Sequence, residues 1–275
     1  MLPPVVIDGA LARRLAIHEA AVHARAGREL RDLGDAFLLH DPSDPEPFWN
    51  RIAAPAWPSE PAAFDKRLDE VTTLFSTLGR LPHIRTLPLG GDPPDLERRL
   101  ADSGFRPVGR DRAMVLTDTG PIFALARTLG AQPALRVEAI GGAASTRAMD
   151  AARVLVEAFN VETDRIPALA AESLAAARRP GGASLLLLER ERPVAAARRV
   201  TLDGATYLSS IGTIPAFRGR GYASLLTAEA TRQAIEDGTT LIHLLADAEM
   251  DSAARLYARL GFEPVGAPIA DLMAR

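Results

Sequence analysis

The sequence predicts an α/β fold of the α+β type, repeated as two domains in tandem. Two observations carry this. Strand-like runs and helical periodicities alternate along all 275 residues. The pattern Gly-Phe-x-Pro-Val-Gly stands at Gly104–Gly109 and again at Gly261–Gly266, 157 residues further on. Each copy follows a helical stretch. Each helical stretch follows a strand candidate, His83–Leu89 in the first half and Thr240–Ala246 in the second. A repeated peptide inside a repeated order of elements reads as an internal duplication. The expected division is 1–118 and 134–275, with a linker at 119–133. The chain is long enough for one large or two ordinary domains.

In the first half, apolar residues at helical spacing predict a helix over Leu11–Leu33. His18 and His23 lie on it without companions at metal-ligand spacing, and read as surface or interface residues. A strand is expected at Ala36–His40. The Pro-rich stretch Asp41–Pro58 follows, with Trp49 and Trp57 as packing anchors. Then come a helix at Pro61–Leu78, a strand at His83–Leu89, a helix at Pro94–Ser103 and a strand at Phe105–Thr117. The linker contains a helical stretch, Ile122–Leu129.

In the second half, Ala134–Ile140 reads as a strand, and Ala144–Phe159 and Pro167–Arg178 as helices. Ala183–Glu191 and Pro193–Leu202 form an antiparallel hairpin around Glu191-Arg192-Pro193, with Leu185–Leu188 as a buried run. Asp203-Gly204 is the hinge into a strand at Ala205–Ile214. A helix over Arg220–Asp237 ends at Gly238. Thr240–Ala246 is a buried strand and Ser252–Leu260 a short helix. Gly261 suits the position after a helix end, and Phe262–Ile269 is the last strand.

Bulk properties narrow the function. Net charge is −3, with 24% charged and 47% hydrophobic residues. Basic residues are dispersed, which argues against a nucleic-acid surface. Cysteine is absent, so disulfides and thiolate chemistry are excluded. No apolar run reaches membrane-spanning length, and the N-terminus lacks a basic-then-apolar signal. A soluble, cytoplasmic protein is expected, as a monomer or homodimer. Lys66 is the only lysine, a compositional bias toward arginine without functional meaning.

The most informative segment is Ile211-Gly212-Thr213-Ile214-Pro215-Ala216-Phe217-Arg218-Gly219-Arg220-Gly221-Tyr222-Ala223-Ser224. A β-branched strand meets a proline, which cannot donate to a ladder and marks the strand's end. Gly212 hints at a bulge or a close backbone approach. Successive amides at the start of the following helix point one way, and the helix dipole adds positive character, as a diphosphate cradle requires. Gly219 and Gly221 let the main chain approach a ligand, and Arg218 and Arg220 add full charge.

Two motifs in this order resemble the GNAT superfamily of acetyl-CoA-dependent N-acyltransferases. The phosphate motif Arg/Gln-x-x-Gly-x-Gly/Ala stands as Arg218-Gly219-Arg220-Gly221-Tyr222-Ala223. The closing motif Tyr-x-x-Leu-Gly-Phe stands as Tyr257-Ala258-Arg259-Leu260-Gly261-Phe262. The resemblance covers residues 134–275 and implies a mixed central β-sheet flanked by helices. It implies acetyl-CoA as co-substrate, no metal, and transfer of the acetyl group to a primary amine of a small molecule or peptide. Ile211, Gly212 and Thr213 would pair with the pantetheine arm. Gly219, Arg220, Gly221, Tyr222, Ala223 and Ser224 would hold the pyrophosphate, with Arg218 at its edge. Tyr257 would be the general acid toward the departing thiolate, since a phenol with a pKa of about 10 stays protonated at neutral pH.

The chain departs from the family where an asparagine often stands seven residues before the tyrosine. Here Met250 takes that place, and Asp251 beside it reads as a cap for the helix beginning at Ser252. The general base stays open. Glu157, Glu162 and Asp164 read either as solvated surface or as a relay for a cationic amine, and His243 either as a core histidine or as a base. The first half reads as degenerate: no glycine lies between Asp35 and Leu78, and Leu100 stands where the second half has Tyr257. The alternative to an enzyme is a non-catalytic acyl-CoA-binding or regulatory module.

Overall fold

The structure, a computed structural model, describes residues 2–24, 27–89, 91, 93–141 and 145–275. In chain order the elements are helix α1 (Gly9–His23), strands β1 (Glu29–Asp32), β2 (Phe37–His40) and β3 (Arg51–Ala53), helix α2 (Pro61–Thr77), strand β4 (His83–Arg85), helix α3 (Leu96–Asp102) and strand β5 (Arg106–Leu116). Then follow α4 (Gly120–Gly130), β6 (Leu135–Ala139), α5 (Ser145–Phe159), α6 (Ile166–Ala177), β7 (Gly182–Glu189), β8 (Arg192–Leu202) and β9 (Ala205–Thr213). The chain ends with α7 (Tyr222–Glu236), β10 (Leu241–Asp247), α8 (Asp251–Arg259), β11 (Phe262–Pro264) and β12 (Ile269–Met273). No described helix is long and apolar enough to cross a membrane.

These elements form two compact units. The first comprises Val6–Ala113, Ala246–Ala254 and Pro264–Arg275; the second is built chiefly from Met114–Leu245 and Arg255–Glu263. Each contains a mixed sheet with helices, the α/β class that the sequence predicts.

In the first unit the strand order is β1-β2-β3-β4-β12-β5. β3 and β4 run parallel, whereas β12 is antiparallel to both β4 and β5. Leu38, Ile52, Ile84 and Leu272 from these strands pack with Phe64, Val71 and Phe75 of α2, Leu100 of α3, and Trp57. The i, i+4 and i+7 spacing of Phe64, Leu68, Val71 and Phe75 gives α2 a continuous apolar stripe.

Beside that core lies a buried ionic network. Glu19 on α1 accepts from Arg51 Nη2 at 2.6 Å through both oxygens, with the two side chains 3% and 0% exposed. Arg85 on β4 donates to Asp271 (3.0 and 2.7 Å) and to Asp111 (2.5 Å), and His83 Nε2 lies 2.9 Å from Asp271. The guanidinium groups of Arg51 and Arg85 stand 4.1 and 5.5 Å from the centre of the Phe48 ring. Arg28 stacks on Trp49 at 3.5 Å. Burial alone would raise Glu19 and Asp271. Arg51, His23 and Arg85 hold Glu19 well below its ordinary value, and His83 and Arg85 do the same for Asp271. Burial is the leading cause that raises Asp111.

Several elements differ from the sequence expectation for identifiable reasons. The helix expected to reach Leu33 stops at His23, and Glu29–Asp32 pairs antiparallel with β2 instead. Cross-strand pairing closed by Gly34, at φ +87°, overrides the helical spacing there. A strand, β3, lies inside the Pro-rich stretch. The hairpin turn sits at Arg190 and Glu191, with φ +47° and +69°, one residue earlier than expected. The expected last strand is broken into β11 and β12 by a turn at Gly266, φ +68°, where a side chain would meet Pro88 O at 2.3 Å. Helix α5 is described from Ser145; the expected start at Ala144 lies outside the described residues.

The repeated hexapeptide adopts one local form twice. Gly104 follows α3 at φ +92° and Gly261 follows α8 at φ +88°; the next residue is a buried phenylalanine that leads into a strand. At Gly261 a Cβ would sit 2.0 Å from Asp118 O, so space as well as dihedral angle demands glycine.

Breaking the buried Glu19–Arg51 pair leaves an uncompensated charge. Glu19→Gln should lower stability by about 3–5 kcal/mol, read from the urea midpoint. Both tryptophans, Trp49 and Trp57, belong to this unit, so intrinsic fluorescence follows it. Glu19 and Asp271 have folded-state values below their unfolded ones. Their contribution is complete above about pH 4 and is lost as pH falls through the lowered values. The variant should therefore show a weaker loss of stability on acidification than the parent.

Candidate functional site

The second unit has strand order β10-β9-β8-β7-β6. β9 is antiparallel to β8 and parallel to β10. Registered pairing with β10 ends at Leu208↔Leu244, although β9 continues to Thr213. On the other side, pairing with β8 shifts between Arg198↔Ser209 and Ala196↔Gly212. Two residues of β9, Ser210 and Ile211, therefore oppose one of β8, and Ser210 takes φ +52°. This is a β-bulge, which raises local twist and turns the strand away from its neighbour. The main-chain groups of Ile211, Gly212 and Thr213 have no registered partner on the β10 side.

Gly212 owes its identity to packing. A Cβ there would lie 2.8 Å from Ala158 Cβ and 3.2 Å from Phe159 Cε2, at the end of α5. Arg218 closes the same junction: its Nη2 donates to Ala158 O at 2.7 Å and its Nε to Thr213 O at 3.3 Å. The side chain expected at a phosphate edge thus ties α5 to the end of β9. Thr213 Oγ1 is buried without a hydrogen-bond partner among the described residues.

Beyond Pro215 the chain makes one 3-10 turn, Pro215–Phe217, and reaches Gly219 and Gly221 at φ +77° and +79°. Among the described residues, no atom beyond the adjoining residues lies within 4 Å of a Cβ built on either glycine. Gly221 is the N-cap of α7 and offers no side-chain cap; Leu225 N makes the first helical bond, to Gly221 O at 3.0 Å. The amides of Tyr222, Ala223 and Ser224 precede that bond and belong to the helix's unpaired N-terminal donors. By contrast, Glu60 caps α2, accepting from Ala62 N and Ala63 N at 3.0 and 2.7 Å. The first-half helix start brings its own carboxylate; that of α7 is left open.

The remaining side chains of the motif point to one another. Tyr222 Oη donates to Glu189 Oε1 at 2.7 Å, and Arg220 Nη1 lies 3.4 Å from Glu189 Oε2. Burial, then the bond to Glu189, raises the Tyr222 phenol above its ordinary value. Tyr222 therefore offers the site its amide rather than its hydroxyl. The sequence carried no sign of Glu189 as their partner. Glu189 lies 33 residues from Tyr222, and only the sheet brings them together.

Tyr257 on α8 is 8% exposed, with its ring 6.1 Å from Phe262 in an edge-on contact. Its hydroxyl has no hydrogen-bond partner among the described residues, and burial pushes it up to about 12. His243 is buried in β10 against Tyr207, ring centres 5.1 Å apart. Glu157, Glu162 and Asp164 are exposed. Asp251 lies within α8 as its first residue, and Met250 is exposed.

Residues 145–262 match the acetyltransferase (GNAT) family. Among solved structures, the chain is similar to a GCN5-related N-acetyltransferase from Kribbella flavida. The two are 26% identical over 96% of this chain and 95% of that one, with a TM-score of 0.69. A functionally unknown conserved protein from Staphylococcus epidermidis ATCC 12228 is 15% identical, over 89% and 93% of the two chains, with a TM-score of 0.68. A GCN5-related N-acetyltransferase from Sphaerobacter thermophilus is 20% identical, over 78% and 66%, with a TM-score of 0.55. These last two likenesses show the fold alone. No curated protein matches the sequence.

Substituting the two kinds of glycine should separate packing from openness. Gly212→Ala forces a methyl into Ala158 and should cost about 1–3 kcal/mol. Gly219→Ala meets no neighbour and should cost about 1–2 kcal/mol, from its dihedral angle alone. Chemical denaturation of both variants checks this; a Gly212→Ala protein as stable as the parent would contradict the close approach.

Proposed function

With residues 145–262 a GNAT-family acetyltransferase domain, we propose that the protein is an acetyl-CoA-dependent N-acetyltransferase. Its acceptor is a primary amine on a small molecule or peptide, which attacks the thioester directly. One observation carries the reading: the uncapped amide run from Gly219 to Ser224, opened by two glycines at positive φ with free space around them. Such a run accepts a diphosphate, and a side chain at either glycine would fill the approach.

When bound, acetyl-CoA supplies an acetyl group as a thioester, open to attack by an unprotonated amine. Everything else falls to the chain's own residues. Gly219, Arg220, Gly221, Tyr222, Ala223 and Ser224 hold the phosphates through main-chain N–H groups. Ile211, Gly212 and Thr213, freed from β10 by the bulge, offer strand-type donors and acceptors to an amide-bearing arm. Arg218 keeps α5 seated against the end of β9, so those groups hold position. Positioning of this kind supplies several kcal/mol of a barrier. Tyr257 Oη keeps its proton through the working pH range because burial raises it to about 12. It is the acid in this reading, holding a proton for a sulfur anion. The first unit contributes structure in this reading and no chemistry, since its corresponding helix start is occupied by Glu60.

Calorimetry with acetyl-CoA and thiol release over an amine panel test the reading. Tyr257→Phe should reduce turnover about 100-fold while acetyl-CoA affinity stays within about twofold. No alkaline loss of activity should arise from Tyr257 below about pH 11, given its raised value. Gly221→Trp should abolish binding. Absence of heat with the parent protein sinks the reading, and binding without turnover on any amine reduces it to an acyl-CoA-binding module.

A further inference from the structure

The turn from α5 to α6 is pinned at both ends. Arg218 Nη2 donates to Ala158 O at 2.7 Å, at the end of α5. On the α6 side, Arg198 of β8 donates through Nη2 to Leu169 O at 3.2 Å and through Nη1 to Glu172 Oε2 at 2.7 Å. Arg198 stands opposite Ser209, the residue before the bulge in β9. The segment between these pins starts hard against the strand: Cε2 and Cζ of Phe159 lie 3.2 and 3.3 Å from where a Cβ on Gly212 would be.

The fold itself uses little of that segment. Phe159 is 52% exposed and Val161 39%, two large apolar side chains left in water two residues apart. The carboxylates of Glu157, Glu162 and Asp164 are exposed and form no ion pair or hydrogen bond among the described residues. Other acids of this unit are paired: Glu138, Asp150, Glu172, Glu189, Glu229 and Asp237 each meet an arginine within 3.4 Å. Residues 157–165 carry three acids against one cation, Arg165. Uncovered apolar surface marks a place of contact, and unpaired charge beside it states the sign of the partner. The complement of both together is a cation on an apolar body.

We propose that Phe159 and Val161, rimmed by Glu157, Glu162 and Asp164, receive the acceptor, and that they select a primary amine on an uncharged apolar body over amines bearing a free carboxylate. This rests on the acetyl-CoA reading above, which lays the acyl arm along Ile211–Thr213, beside the Phe159 ring. The apolar body covers Phe159 and Val161. The rim draws in the ammonium form and repels anions, so rejection of amino acids is built from like charge as much as from fit.

Ligand-observed NMR titration of the full chain at neutral pH with hexylamine, propylamine and 6-aminohexanoate tests this without reference to turnover. Hexylamine should bind about 10-fold more tightly than propylamine, which lacks three methylene groups. It should also bind about 10-fold more tightly than 6-aminohexanoate, which carries a carboxylate in place of the terminal methyl. Glu162→Gln combined with Asp164→Asn should cut the carboxylate penalty to about threefold or less and leave the chain-length preference intact. Val161→Ser should do the reverse. All three side chains are exposed, so thermal midpoints should match the parent's. Rising salt should erode the carboxylate penalty alone. Acetylation rates over the three amines should follow the same order. No binding of hexylamine, equal affinity for all three amines, or a double variant that keeps the full carboxylate penalty overturns the inference; turnover on other amines then leaves the acetyl-CoA reading standing. Absence of heat with acetyl-CoA overturns that reading and the inference with it.

Discussion

A main-chain amide or carbonyl withdrawn from its ladder must find another partner, and the segment from Ser209 to Ser224 gathers such groups into one place. Strand β9 loses β10 after Leu208, bulges at Ser210, and gives way to a helix whose first amides are uncapped. None of this survives without support from behind. The end of α5 presses on Gly212 closely enough to forbid a side chain, and Arg218 bonds a carbonyl on each side of that contact. Unpaired polar groups stay aligned because the atoms that carry them are packed and because Arg218 pins the junction behind them.

The two units treat a helix start in opposite ways. Glu60 places a carboxylate on the first amides of α2, and those amides hold its pKa below the ordinary value. Gly221 places nothing on those of α7. N-terminal donors need an acceptor; α2 finds one within the chain, and α7 has no side-chain cap. The same local form of helix, left-handed glycine, buried phenylalanine and strand recurs at Gly104 and Gly261, so the difference lies in the helix start rather than in the frame.

The first unit spends its polar residues on its own interior. Glu19, Arg51, Arg85, Asp111 and Asp271 come from five elements and meet in a network buried except at Asp111. Buried charge of this kind costs desolvation that only good geometry offsets. Phe48 supplies an aromatic face for two of the guanidinium groups, where ordinary hydrogen-bond acceptors run short.

The sequence by itself determined the α/β class, the order of the longer elements and the run Arg218–Ser224, because each is written in neighbouring residues: periodicity, proline and glycine stops, and a motif read within a few positions. It could not show that Glu29–Asp32 would pair with β2, since a strand that short is decided by its partner. Nor could it show that Arg218 would be drawn to Ala158, or that Glu189 would take the hydroxyl of Tyr222. Those outcomes join residues up to 60 positions apart. Hydrogen-bond and stacking geometry act over a few ångströms, and only the folded sheet decides which distant residues come that close.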